Sequence, residues 1–174
     1  MKWLTFTVRF ICLAPVCLVT WWYVLPAYAE VLGFFSVVIL RFVLFAEIDS
    51  FGVVPLGILH TSTLLQFHTG AQEFPFPIGQ LTTNMAPFVA LMFSTPKIKL
   101  RKRILAISIG CITLFFSHLL YVVFAFQFSQ QVNTHPYVSH IIAPVFLTLP
   151  FLLWIVLLQT DLMKEKTTSD RGIL

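Results

Sequence analysis

Several polar side chains that could do chemistry lie inside long apolar runs of this chain. His118 and Asn84 fall within two such runs, and His140 opens another. An ionisable side chain inside a membrane-type segment is a functional candidate by default. Tyr121 lies about one helical turn from His118. We expect Asn84, His118, His140 and Tyr121 to form a polar cluster, brought to a similar depth by three different helices.

This polar cluster allows two interpretations. In the first, His118 is a base or a ligand, and with Asn84 and His140 it serves a membrane enzyme or a redox or quinone-site subunit. A haem held by His118 and His140 fits poorly, because His140 at a helix mouth does not match the depth of His118. In the second, His118 forms a hydrogen bond across a helix interface and has no chemical role. The sequence predicts no catalytic residue, no metal site and no cofactor.

The cysteines do not indicate thiol or metal chemistry. Cys12, Cys17 and Cys111 all lie in apolar runs, with no C-x-x-C pair and no zinc-type spacing. Cysteines buried in a membrane segment usually act as small apolar fillers. We therefore expect no catalytic thiol.

Composition defines the elements that must position these residues. The chain has 174 residues, of which 58% are hydrophobic and only 10% are charged, and its mean hydropathy is +0.90. A soluble domain needs far more charge to cover its surface. An integral membrane protein is therefore predicted, and the net charge of +4 is not a nucleic-acid signal.

Three apolar runs, 10–29, 104–126 and 140–159, are long enough to cross a bilayer, which takes roughly 20 residues. Another predicted span, 78–96, is shorter and more polar, but it ends directly at a run of basic residues. A further run, 31–48, contains Arg41 and is predicted to be an interfacial helix or an extension of the first span. The predicted fold is an all-α polytopic membrane protein with about four transmembrane helices, an interfacial helix and a small extended or β outer segment.

The remaining segments complete a single membrane domain over 1–174. Turn residues among β-branched and aromatic residues in 49–77 indicate a small extended or hairpin element. Together with the preceding interfacial helix it forms an outer cap, 30–77. A second outer loop, 127–139, follows the third span, and 160–174 is a cytoplasmic tail.

Five basic residues are concentrated in one turn, 97–103, between the second and third spans. They are Lys97, Lys99, Arg101, Lys102 and Arg103. Cytoplasmic loops carry an excess of Lys and Arg, so this turn predicts both termini on the cytoplasmic side of the inner membrane. The same residues could instead contact anionic lipid or an acidic partner.

Two alternatives remain open at the N-terminal end. If 31–48 is a fifth span, the N-terminus lies outside, with Lys2 and Arg9 on the disfavoured side. The residues "AYAE", 27–30, resemble a signal-peptidase site, although the aromatic residues before them suit the interface end of a retained helix.

The order "GQLTTNMAPFVALMFSTP", basic turn, "ILAISIGCITLFFSHLLYVVF", outer loop, "HIIAPVF" resembles the C-terminal half of exosortases and archaeosortases. It is more similar to the small membrane proteins encoded beside exosortases, the exosortase H-associated membrane protein type. The similarity covers roughly residues 50–155. Its motifs are loose.

The resemblance implies a role without catalysis. Exosortases use a Cys, an Arg and a His that face the outer leaflet. At the matching positions this chain has Thr83 or Asn84 for the Cys and His118 or Leu119 for the Arg, and only His140 is in place. Without a thiolate or an oxyanion-stabilising cation that reaction cannot run. We therefore expect an accessory subunit that binds a partner membrane protein and lipids, and no nucleic acid.

Overall fold

The computed structural model describes residues 2–96, 98–131 and 148–158. Its first element is one helix, α1, from Lys2 to Phe42. At 1.5 Å per residue, its 41 residues extend for about 61 Å. A stripe of buried residues along its second half, Leu25, Ala29, Leu32, Ser36 and Leu40, packs against the rest of the molecule. This stripe recurs every three to four residues, which is the period of one helix face.

The run 31–48 therefore does not form a separate interfacial helix. Its residues up to Phe42 continue α1, as in the alternative prediction that this run extends the first span. The Arg41 guanidinium donates hydrogen bonds to the carbonyls of Ile48 and Asp49. These bonds hold the chain reversal that follows the helix.

A three-stranded antiparallel sheet forms the predicted outer segment. Its strands are β1, Ser50–Val54, β2, Leu64–Thr69, and β3, Gln72–Pro77, in the order β1-β2-β3, with a short 3-10 turn at Ile58–His60. In the register Val53 pairs with Leu65 and Leu65 with Phe76, while Phe51 pairs with Phe67 and Phe67 with Phe74. These six side chains share one face, because alternate residues of a strand point the same way.

That apolar face packs on α1 and on the end of α4, Leu100–Gln131. Phe126 of α4 is fully buried among the rings of Phe67, Phe74 and Phe76. Gly33 of α1 permits the close approach, since a Cβ there would lie 2.6 Å from the ring of Phe51. The sheet is thus docked on the two long helices.

The predicted span 78–96 is two short helices, α2, Ile78–Thr82, and α3, Met85–Ser94. Pro87 explains the interruption, because a proline has no N–H for the carbonyl four residues earlier and its ring clashes with that carbonyl, here Thr83. The Thr83 carbonyl instead accepts a hydrogen bond from the Ala86 N–H, at 3.2 Å. Most residues of α3 are buried, so this helix forms the centre of the bundle.

Contacts at one end of the bundle fix the directions of the helices. Trp154, in a short helix α5, Thr148–Leu158, stacks on Phe6 and donates a hydrogen bond to the Thr95 hydroxyl at 3.0 Å. Arg103 donates to the Thr95 carbonyl at 2.8 Å. The beginnings of α1 and α4 and the end of α3 therefore lie at one level, and α1 and α4 run in the same direction.

Within the described residues, two helices are long and apolar enough to cross a membrane, by length and composition. They are Leu4–Phe42 and Leu100–Phe128, in place of the predicted 10–29 and 104–126. The structure does not confirm four spans. Of the predicted fourth span, 140–159, only α5 is described, and most of 127–139 and all of 160–174 lie outside the described residues.

Candidate functional site

His118 is fully buried and joins three helices. Its Nδ1 lies 2.7 Å from the Tyr28 hydroxyl of α1, and its Nε2 lies 3.1 Å from Asn84 Oδ1, between α2 and α3. Asn84 is 2% exposed and Tyr28 is half-buried. We name Tyr28, Asn84 and His118 the His118 cluster. Its three members are brought together from positions up to 90 residues apart.

The hydrogen bonds of the His118 cluster define the tautomer of the neutral ring. Asn84 Oδ1 can only accept, so the imidazole Nε2–H is the donor in that bond. Nδ1 of the neutral ring is then an acceptor and receives the Tyr28 hydroxyl proton. The lone pair that a general base would use is therefore already engaged by Tyr28.

The interruption between α2 and α3, just before Pro87, is what places Asn84. Because the helix is broken there, Asn84 lies at the junction of α2 and α3, next to the buried face of α4. Thr83, the other residue considered at this position in the sequence, donates its hydroxyl to the Gly79 carbonyl at 2.6 Å within its own helix. Leu119, beside His118, belongs to the apolar core next to the sheet.

The polar cluster predicted from the sequence is found in part. The structure brings Asn84 and His118 together, and His140 lies outside the described residues. Tyr121 is half-buried and packs against the core next to the sheet. Tyr28 was missed. Its one signal is that a polar-tipped aromatic inside an apolar helix needs a hydrogen-bond partner when buried, but no spacing along the chain connects it to His118.

Beside the His118 cluster, a cleft of about 540 Å³ lies between α1 and α4. Its rim is formed by side chains that are exposed on the outside of the bundle, Val16, Thr20 and Val24 of α1 and Ile112 and Phe116 of α4. The α1–α4 cleft therefore opens sideways, through the surface that the two long helices present to their surroundings.

The floor of the α1–α4 cleft is apolar. It is contributed by Met85, Ala86 and Val89 of α3, and Trp21 and Tyr28 close it on the α1 side. The Tyr28 hydroxyl is turned toward His118. The Trp21 Nε1 is buried and has no hydrogen-bond partner among the described residues. The rings of Trp21 and Tyr28 meet edge to face, with centroids 5.0 Å apart.

The described basic residues of the predicted turn 97–103 lie at the end of the molecule opposite to the sheet. Lys99, Arg101 and Lys102 are exposed, and Arg103 is half-buried against the end of α3. Lys97 lies outside the described residues. Arg101, Lys102 and Arg103 belong to the first turn of α4 and not to a connecting turn, because α4 begins at Leu100.

The cysteines and acidic residues form no metal centre in the described part of the chain, where no group of three His, Cys, Asp or Glu side chains is close enough to hold an ion. Cys12, Cys17 and Cys111 are free thiols, and the last two line the α1–α4 cleft. No family model, curated protein or solved structure is significantly similar to this chain.

Proposed function

We propose that the chain is a multi-pass protein of the inner membrane with its basic end in the cytoplasm. Two long apolar helices support membrane insertion. Exposed Arg9, Lys99 and Arg101 lie at the end where α1 and α4 begin, and the sheet lies at the other end. The excess of Lys and Arg on cytoplasmic sides then places the sheet outside.

Labelling of single cysteines tests this orientation. In a background without the three native cysteines, a membrane-impermeant maleimide applied to intact cells should label Gln66→Cys, on the outward face of β2, and not Lys99→Cys. Both should be labelled after the membrane is opened, which controls for access. Labelling at Lys99 in intact cells would contradict the proposed orientation.

We further propose that the protein is a non-catalytic accessory subunit that binds a partner membrane protein. The observation that carries this proposal is the apolar end of α1 together with the residues that follow it, formed by Val38, Phe42, Val43 and Phe45. These side chains are 36%, 74%, 64% and 84% exposed. Phe45 is also held at φ 54°, a left-handed conformation that is unfavourable for a bulky residue.

The length of α1 places this apolar end beyond the hydrocarbon core. The apolar part, Leu4–Phe42, has 39 residues and extends for about 58 Å. Even a steep tilt of about 40° leaves about 44 Å along the membrane normal, against a core of about 30 Å. With Arg9 near the cytoplasmic boundary, the last two turns of α1 project on the side of the sheet. Exposed apolar clusters outside a membrane usually mark protein interaction sites.

The partner we propose is an exosortase-type membrane protein. The support is the resemblance of residues 50–155 to the small membrane proteins encoded beside exosortases. A chain that has the same order of segments as these small membrane proteins, and lacks the catalytic Cys and Arg of exosortases, suits an assembly role in protein sorting or envelope processing.

Paired alanine substitutions test the interface. Phe42→Ala with Phe45→Ala should reduce the amount of co-purifying exosortase-type protein by at least about tenfold, because exposed aromatic residues often dominate binding energy. The matched control is Phe124→Ala with Phe128→Ala, which removes two exposed rings from α4. Equal retention of the partner by both pairs, or no exosortase-type protein with the wild-type chain, would contradict the proposal.

A second candidate function is a membrane enzyme or redox subunit that uses His118 and Asn84, with His140 outside the described residues. The observation that favours it is a buried histidine beside an apolar cleft. Against it stands the hydrogen bond from Tyr28, which occupies the imidazole Nδ1. If the protein has this second function, His118→Gln should abolish activity and leave assembly intact.

A further inference from the structure

The accessible lining of the α1–α4 cleft is almost entirely apolar among the described residues. The Thr20 hydroxyl donates to the Val16 carbonyl of its own helix at 2.8 Å. The Tyr28 hydroxyl is bound to His118, and the Trp21 Nε1, which has no partner among the described residues, is buried. The lining residues include no charged side chain, and the thiols of Cys17 and Cys111 are weak hydrogen-bond donors. A ligand in this cleft is therefore recognised mainly by shape and apolar contact.

This chemistry decides between the classes of ligand that fit a cleft of this size. A volume of about 540 Å³ lies within the range of small-molecule sites. A quinone ring would bury two carbonyl oxygens with only the weak thiol donors of Cys17 and Cys111 nearby, and a poorly paired buried polar group is costly. A hydrocarbon chain buries no polar atom. The cleft runs along α1 from Val16 to Tyr28, about 18 Å, which suits an extended chain.

The depth and the opening of the cleft identify the source of that chain. Its α4 residues, Cys111 to Phe116, lie eight to thirteen residues after Arg103, about 12 to 20 Å along the helix. This is the middle of a core of about 30 Å. The exposed rim is continuous with the apolar outer sides of α1 and α4. We infer that the α1–α4 cleft binds an acyl chain of a membrane phospholipid.

The bound chain completes the packing of the bundle. An apolar chain in the cleft would contact the exposed side chains of Val24, Ile112 and Phe116, and such contacts gain dispersion energy. The chain would lie directly against Tyr28, and so next to the His118 cluster. This inference rests on the membrane insertion in the proposed function and is independent of the partner protein.

Lipid retention tests the inference. The wild-type protein, purified in mild detergent, should retain about one phospholipid per chain, measured by lipid phosphorus and by mass spectrometry of the extract. Val24→Trp fills the rim of the cleft and should reduce this amount at least fivefold. The matched control is Val19→Trp, since both valines are exposed on α1 and only Val24 lines the cleft.

A second variant and a second readout keep the test decisive. Val16→Trp fills the other end of the cleft and should also lose the lipid. This variant replaces Val24→Trp if Val24→Trp does not fold. Unchanged lipid in both cleft variants would overturn the inference, as would a quinone in place of the phospholipid. Co-purification of the partner protein is scored separately, so loss of lipid with the partner retained distinguishes this site from the proposed interface.

Discussion

Replacing Phe126 by Ala should lower the free energy of unfolding by about 3–5 kcal/mol, the usual cost of truncating a buried phenylalanine. Phe126 is fully buried, and its ring centroid lies 5.4 Å from those of Phe67 and Phe74. The substitution opens a cavity where the sheet meets α4. Thermal unfolding in detergent micelles measures the loss. Limited proteolysis at Gly70, in the β2–β3 turn, should become faster.

The control for this substitution lies two residues away. Phe124 is on the same helix and is 59% exposed, so Phe124→Ala removes the same atoms with little change in packing. Its expected effect is within about 0.5 kcal/mol, as for most surface positions. If the two variants unfold alike, the sheet is not held on α4 by the aromatic rings that surround Phe126.

Replacing His118 by Leu should cost about 2–5 kcal/mol. Leu fills the space but leaves the Tyr28 hydroxyl and Asn84 Oδ1 buried without their shared partner. Each unsatisfied buried group costs about 1–3 kcal/mol. His118→Gln should recover most of the loss, because its side-chain amide can both accept from Tyr28 and donate to Asn84. Unfolding of both variants in the same detergent measures the difference.

The His118→Gln variant also separates the two candidate functions. In an accessory subunit it should retain both stability and the partner. Equal destabilisation by Leu and Gln would show that the hydrogen bonds are not what His118 contributes. Normal stability and assembly with loss of an activity would favour the enzyme or redox function instead.

The sequence predicts the class of this fold and part of its site. Low charge and long apolar runs indicate membrane helices, and partial alternation in 62–70 indicates an extended or hairpin element. Asn84 and His118 are recognisable because polar residues in apolar helices need partners. These signals are local, so each can be seen in a single segment.

Other features depend on contacts that no single segment reveals. Pro15, Pro26 and Arg41 all suggest interruption of α1, yet burial of its second half against the sheet supports one continuous helix. Pro87 does break its helix, and there the freed Thr83 carbonyl finds a donor in the next turn. Tyr28 is 90 residues from His118, and only the parallel arrangement of α1 and α4 brings them together.

The continuity of α1 has a mechanical consequence. One helix of about 61 Å joins the basic end to the base of the sheet, and in the proposed membrane orientation it would act as a lever through the bilayer. A rotation of this rod by about 10° displaces its far end by about 10 Å. In the proposed complex, force applied at Phe42 would be transmitted along α1 to Phe6, and through its stacked ring to Trp154. In the proposed orientation, α1 would thus couple an event on the side of the sheet to the basic end of the molecule.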